Sequence, residues 1–294
     1  MIIAALQRDI SMTDFIAAVL HPEVPFLRLA LVVGLLASIA FGVIGSYVVA
    51  RRISYLAGAI AHSVLGGIGC ALYLQKAKGY LWVEPVYGAV AAALFAALLI
   101  GLVSLHATQR EDTVIGALWS IGMATGLLFI AKTPGYVEPM SYLFGNILLL
   151  TGDDIWLVVG LDLVIVLAGA IFYNKLLAVC FDEEFARLRG IPVKIYYLVL
   201  LGMTALAIVL LVRVVGIVMV VALLTLPAAI ASYFVRCLWQ MMVLATLLCM
   251  LFIGSGLSVS FTTNLPAGPT IIMVAGSVYI LIASIFGIKK RIAA

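Results

Sequence analysis

RRISYLAGAIAHSVLGGIGCALYL, residues 51–74, decides how the rest of the chain is read. Two arginines, Arg51 and Arg52, close one apolar run, and a second run begins directly behind them. Inside that second run sits His62. Ionisable groups are costly in a bilayer core and face a cavity or a partner there. Gly66, Gly67 and Gly69 follow, and small residues let another helix backbone come close. A histidine on a closely packed membrane helix is a candidate stop on a metal path. The plainer reading is a hydrogen bond to a neighbouring helix.

The same pattern extends outward over the chain. Of its 294 residues, 66% are hydrophobic and 10% are charged, and the mean hydropathy is +1.28. A soluble fold of this size carries far more charge, so the fold class is all-α and polytopic in a membrane. The apolar runs are of helical length, not the short alternating strands of an outer-membrane barrel. Nine can be drawn, at about 26–50, 56–74, 86–106, 114–131, 155–173, 195–212, 214–235, 238–257 and 270–288. The stretch 195–235 is too long for one crossing at about 1.5 Å per residue, and Arg213 and Gly216 mark its break. Without that break the count is eight. No intervening segment is long enough for a soluble domain, so residues 1–294 read as a single transmembrane unit. Residues 1–25 lack the basic start and long apolar core of a cleavable signal, and read as an interfacial segment with a short amphipathic helix at 12–20.

The cations orient the spans. With the Arg51-Arg52 loop in the cytoplasm, eleven cations fall inside and six outside, which accounts for all 17. The positive-inside rule then puts the N-terminus outside and the C-terminus in the cytoplasm. These cations sit at span ends, so the net charge of +4 does not point to nucleic acid. No phosphate-binding loop of the Gly-x-x-x-x-Gly-Lys-Ser/Thr type occurs, so any ATP must be bound by another chain. The cysteines Cys70, Cys180, Cys237 and Cys249 form no Cys-x-x-Cys pair and read as small apolar fillers.

Two stretches between spans are informative. TPGYVEPMSYLFGNILLLTGDD, residues 133–154, lies outside in this orientation. Its apolar part is too short to span and predicts a re-entrant or interfacial helix after a break at Pro134, Gly135 and Pro139. Glu138 and Asn146 flank that helix as candidates for guiding a cation, and Asp153 and Asp154 read as interfacial loop acids. CFDEEFARLRGIPV, residues 180–193, lies in the longest cytoplasmic loop. Asp182, Glu183 and Glu184 open it, Arg187 and Arg189 close it, and Gly190 stops it, which is the charge order of a short helix. Phe185, Ala186 and Leu188 give it a small apolar face. It reads either as a solvated loop helix or as a coupling helix, over 181–191, that docks on an ATPase. Elsewhere, Asp162 lies inside a span and needs a cavity or a partner. Thr225 precedes Pro227 in LLTLPAA, which predicts a kink whose freed carbonyl needs a partner.

Five ordered pieces carry a resemblance over nearly the whole chain: PFLRLALVVGLLASIAFGVIGSYVVARRISYLAGAIAHSVLGG, VEPMSYLFGNILL, FDEEFARLRGI, VGIVMVVALLTLPAAIA and LPAGPTIIMVAG. In these the chain resembles the permease subunits of bacterial zinc/manganese/iron ABC importers. The resemblance implies a multi-pass protein of the bacterial cytoplasmic (inner) membrane that catalyses nothing itself. It implies two permease copies (a homodimer), two cytosolic ATPase subunits and an extracytoplasmic metal-binding protein, with metal moved by alternating access. It implies ATPase coupling through Asp182, Glu183, Glu184, Phe185, Ala186, Arg187 and Gly190. A transport path by His62, Glu138, Asn146, Asp162 and Thr225 is expected.

One departure bears on the cargo. The family pattern at the start of the second span is often Asp-x-x-x-His, whose acid and imidazole share a helix face. Here the acid position is Gly58. Zinc is well served by imidazole and manganese prefers harder oxygen ligands, so zinc(II) is the expected cargo, with manganese(II) or iron(II) as alternatives. Two copies of His62 converging across a two-fold axis would supply a shared site. Two other classes fit poorly. A gradient-driven transporter needs paired intramembrane acids in two repeats, and an intramembrane metalloprotease needs His-Glu-x-x-His, which is absent.

Overall fold

The computed structural model describes residues 15, 19, 25–106, 111–135, 138–145 and 151–292, and among them every regular element is a helix. The long helices are α1 (Pro25–Ala50), α2 (Ser54–Lys78), α3 (Pro85–His106), α4 (Glu111–Lys132), α6 (Gly152–Ile171), α9 (Val193–Val215), α10 (Ile217–Phe234), α11 (Leu238–Thr263) and α12 (Ala267–Ile292). Three short ones lie between them: α5 (Pro139–Phe144), α7 (Tyr173–Phe181) and α8 (Glu183–Leu188). Eight of the described helices are long and apolar enough to cross a membrane, and α9 adds an apolar stretch at Val193–Val209. The expected interfacial helix at 12–20 and Asn146 lie outside the described residues, apart from Phe15 and Val19. Phe15 meets Phe261 edge-on, ring centroids 5.8 Å apart.

Hydropathy placed the spans, and local chemistry adjusts their ends. The fifth begins at Gly152 because Thr151 and Asp154 form a capping box, the Thr151 N–H donating to Asp154 Oδ2 at 2.8 Å. Asp153 and Asp154 are therefore first-turn helix residues rather than loop acids, where they face the positive helix end. The span stops at Ile171, and α7 follows where a plain loop was expected. That short helix is amphipathic. Leu176, Val179 and Cys180 are buried, while Lys175 lies over the Tyr196 ring at 5.3 Å. Pro139 starts α5 rather than breaking the chain, since a proline fits the first helical turn.

Gly216 does divide the 195–235 stretch. Its φ of +84° is a left-handed value that only glycine adopts without penalty. It is also a contact point. A Cβ there would lie 2.5 Å from the Phe144 carbonyl carbon and 2.8 Å from the Leu143 oxygen, so α5 is seated in the notch between α9 and α10. Gly268, at the start of α12, receives the Phe144 carbonyl from the other side.

At the centre, α2 packs on α3 and α4, while α1 packs on α6, α10 and α11. The α2 glycines do what small residues do between membrane helices. Gly67 and Gly88 of α3 each face the other's carbonyl, with no room for a Cβ on either. Toward α4, a Cβ on Gly66 would be 2.9 Å from Thr125 Oγ1, and one on Gly122 would be 2.6 Å from Ser63 Cα. This pins the rotation of α2 between its neighbours, and with it the direction of His62.

Candidate metal path and coupling site

His62 sits on the α2 face that meets α4. Its imidazole stacks on the Trp119 indole, centroids 4.3 Å apart and planes 16° from parallel. Gly58, one turn earlier on the same face, makes room for that indole: a Cβ at Gly58 would lie 3.0 Å from Trp119 Cζ3 and 3.3 Å from Cη2. The place where a carboxylate would project beside His62 is filled by an aromatic ring. His62 is only partly buried, yet its Nδ1 is enclosed and has no hydrogen-bond partner. The expected alternative of a hydrogen bond to a neighbouring helix is therefore not made by that nitrogen. Among the described residues no three of His, Cys, Asp and Glu gather where they could hold a metal ion.

The other path candidates are dispersed. Asp162 on α6 is buried; its Oδ1 accepts from the Ala40 N–H on α1 at 3.1 Å, and Oδ2 has no partner. Glu138 is exposed at the N-terminal end of α5 and accepts from Ser141 Oγ at 3.2 Å. Thr225 Oγ1 donates to the Val221 carbonyl at 2.9 Å, one turn back in α10. That hydroxyl is satisfied on its own helix, with Pro227 following. The partners of His62, Asp162, Glu138 and Thr225 thus lie on four different elements.

The charged loop forms α8, six residues long. Asp182 caps it, its Oδ1 accepting from the Phe185 N–H at 2.9 Å. At the far end Gly190 has φ +72°, and the Ile191 N–H closes onto the Ala186 carbonyl at 3.0 Å. The three apolar residues do not share a face. Ala186 is buried against Val179 and Val193, whereas Phe185 and Leu188 project outward, Leu188 at 87% exposure. The Arg189 guanidinium lies over the Phe185 ring at 4.9 Å. Asp182, Glu184 and Arg187 are exposed with them. Glu183 turns inward instead and pairs with Arg51, at the end of α1, and with Arg187 at 3.5 Å.

Sequence reading missed Trp119 and the inward pairing of Glu183. Trp119 had one signal, a tryptophan well inside a span rather than at its interface. The pairing had none, since its partners are 132 positions apart.

Comparison with known proteins agrees with this architecture. Residues 23–287 match the model of the ABC 3 transport family. The chain is 40% identical to a probable metal transport system membrane protein of Chlamydia trachomatis, covering 87% of this chain and 88% of that one. It is 30% identical to the manganese import system permease protein ScaB of Streptococcus parasanguinis, covering 90% and 92%. Among solved structures, PsaBC from Streptococcus pneumoniae in complex with Fab superposes with a TM-score of 0.81 at 28% identity, over 93% of this chain and 95% of that one.

Proposed function

This chain belongs to the ABC 3 transport family, whose members are permeases of metal ABC importers, and we propose that its cargo is zinc. Its role is passage, not catalysis; ATP is hydrolysed by a separate ATPase subunit, and an extracytoplasmic binding protein delivers the cargo. The working complex has two copies of this chain and two ATPases. The N-terminus faces outward and the α8 end faces the cytoplasm.

The pairing of His62 with Trp119 carries the zinc reading. Each chain offers an imidazole with an enclosed, unpartnered Nδ1, beside a position where glycine and an indole stand in place of an oxygen donor. A site made from such donors favours zinc over manganese. One chain supplies too few ligands, so the second copy's His62 adds a donor across the two-fold axis. Alternating access would then open this site first to the binding protein and afterwards to the cytoplasm.

A manganese cargo is the second reading, and the name of the Streptococcus parasanguinis relative favours it. The two separate in liposomes holding the permease, its ATPase and its binding protein, offered zinc against manganese. ATP-driven zinc uptake, lost in His62→Ala, is expected. Manganese uptake in preference to zinc, or zinc uptake indifferent to His62→Ala, would overturn the zinc reading.

A further inference from the structure

One ion pair joins α8 to the turn that leads into the His62 helix. Arg51 is the first residue after α1, and its guanidinium donates to the Glu183 carboxylate at the start of α8. Three residues further on, α2 begins at Ser54. The turn between is stiff. The Arg51, Arg52 and Ile53 N–H groups donate to the carbonyls of Tyr47, Val49 and Val48 at 2.9, 3.0 and 3.0 Å. Arg52 holds a left-handed φ of +61° to permit this. A displacement of Arg51 therefore moves the end of α1 and the start of α2 together. His62 lies eight residues into α2, about 12 Å along the axis at the usual helical rise.

The guanidinium is guided on its other faces. It lies over the Tyr197 ring of α9 at 5.7 Å, and the Tyr197 hydroxyl meets Ser104 Oγ of α3 at 3.0 Å. Its Nε is enclosed and has no partner. By contrast α8 is lightly anchored, with Ala186 as its one buried residue. The pair itself is partly buried, with side chains 24% and 32% exposed. Linking segments 132 positions apart, it is suited to transmitting position.

We propose that the Arg51–Glu183 pair is the latch through which movement of α8 reaches the α1–α2 turn and thereby the His62 helix. Arg51 is a positioning residue: it acts on the path through the turn it closes. The inference rests on α8 being the ATPase contact. Arg187, which shares Glu183 from the exposed side, keeps the carboxylate oriented but joins it to no second element.

The test uses the reconstituted importer and reads metal taken up per ATP hydrolysed. In Arg51→Ala and in Glu183→Gln the ratio should fall by about fivefold or more, the lower edge of usual coupling between sites. The exchanged pair Arg51→Glu with Glu183→Arg should recover most of it. An unchanged ratio in the single variants, or no recovery in the exchanged pair, overturns the latch. Should Arg51→Ala be lost on purification, the isosteric Glu183→Gln gives the answer alone. A purely structural pair would lower the melting temperature and leave the ratio intact. Photo-cross-linking from benzoylphenylalanine at the exposed Leu188 tests the premise separately. Capture of the ATPase with an unchanged ratio sinks the latch alone, whereas no capture in an assembled complex sinks the docking reading as well.

Discussion

The indole of Trp119 occupies the space that a side chain at Gly58 would enter, with 3.0 Å between its Cζ3 and the position of a Gly58 Cβ. The same ring stacks on His62. One residue on α4 thus enforces both the missing donor and the setting of the remaining one. Glycine and tryptophan form a matched pair here, and changing one without the other forces a rearrangement.

Gly58→Asp should therefore destabilise the protein by about 1–3 kcal/mol, the usual cost of overfilling a packed site. Trp119→Ala in the same chain should relieve much of that loss and leave a carboxylate one turn from His62. In uptake competition the double variant should shift toward manganese, since it adds an oxygen donor. Thermal unfolding in detergent and the zinc-to-manganese uptake ratio check the two halves. A single Gly58→Asp variant as stable as the parent would show that the indole yields freely.

The glycines of α2 lend themselves to a paired test. Gly67 faces the Gly88 carbonyl with no room for a methyl, whereas Gly202 in α9 has nothing within 4 Å of an added Cβ. Gly67→Ala should cost about 1–3 kcal/mol because two backbones must part. Gly202→Ala should instead stabilise by about 0.5–1 kcal/mol through helix propensity alone. Melting temperatures of the two variants, measured side by side, decide it.

Much of this architecture was legible because a bilayer restricts what a chain can do. Apolar length gave the spans, and Gly216 gave the break in the longest one. The small residues after His62 gave the close packing of α2. Segments whose structure depends on other segments were not legible. The α7 helix is too short for hydropathy, and it forms because Leu176, Val179 and Cys180 can be buried against the bundle. The outward turn of Leu188 away from Ala186 depends on Val179 and Val193 lying beneath α8. The Arg51–Glu183 and His62–Trp119 contacts join separate elements, and no spacing within one helix encodes them.

Thiol labelling checks orientation and burial together. Cys237 is exposed in the α10–α11 turn, which helix alternation places at the α8 end. Cys180 on α7 is buried, and burial pushes its thiol up to about 12, with Arg51 pulling weakly the other way. The thiolate is the reactive form, so at about pH 8 Cys180 should stay unlabelled, reacting only as the pH climbs toward its raised pKa. A membrane-impermeant maleimide should label Cys237 in inside-out vesicles and spare it in intact cells. Peptide mapping gives the sites, and labelling of Cys237 from outside would reverse the proposed orientation.

Asp162 is the path candidate whose surroundings speak most directly about its role. Its Oδ1 accepts from the Ala40 N–H, so it ties α6 to α1 inside the bundle, away from the α2–α4 face that carries His62. An amide would keep that acceptor while removing the charge. Asp162→Asn should accordingly fold and transport close to the parent. Asp162→Leu should lose about 1–3 kcal/mol, because the acceptor disappears and a branched chain enters a site shaped for a carboxyl group. A carboxylate that handles cargo would give the opposite pattern: Asp162→Asn would melt like the parent yet move no metal. That result would put Oδ2, which has no partner, on the route of the ion and shift the centre of the path from α2 toward the α1–α6 seam.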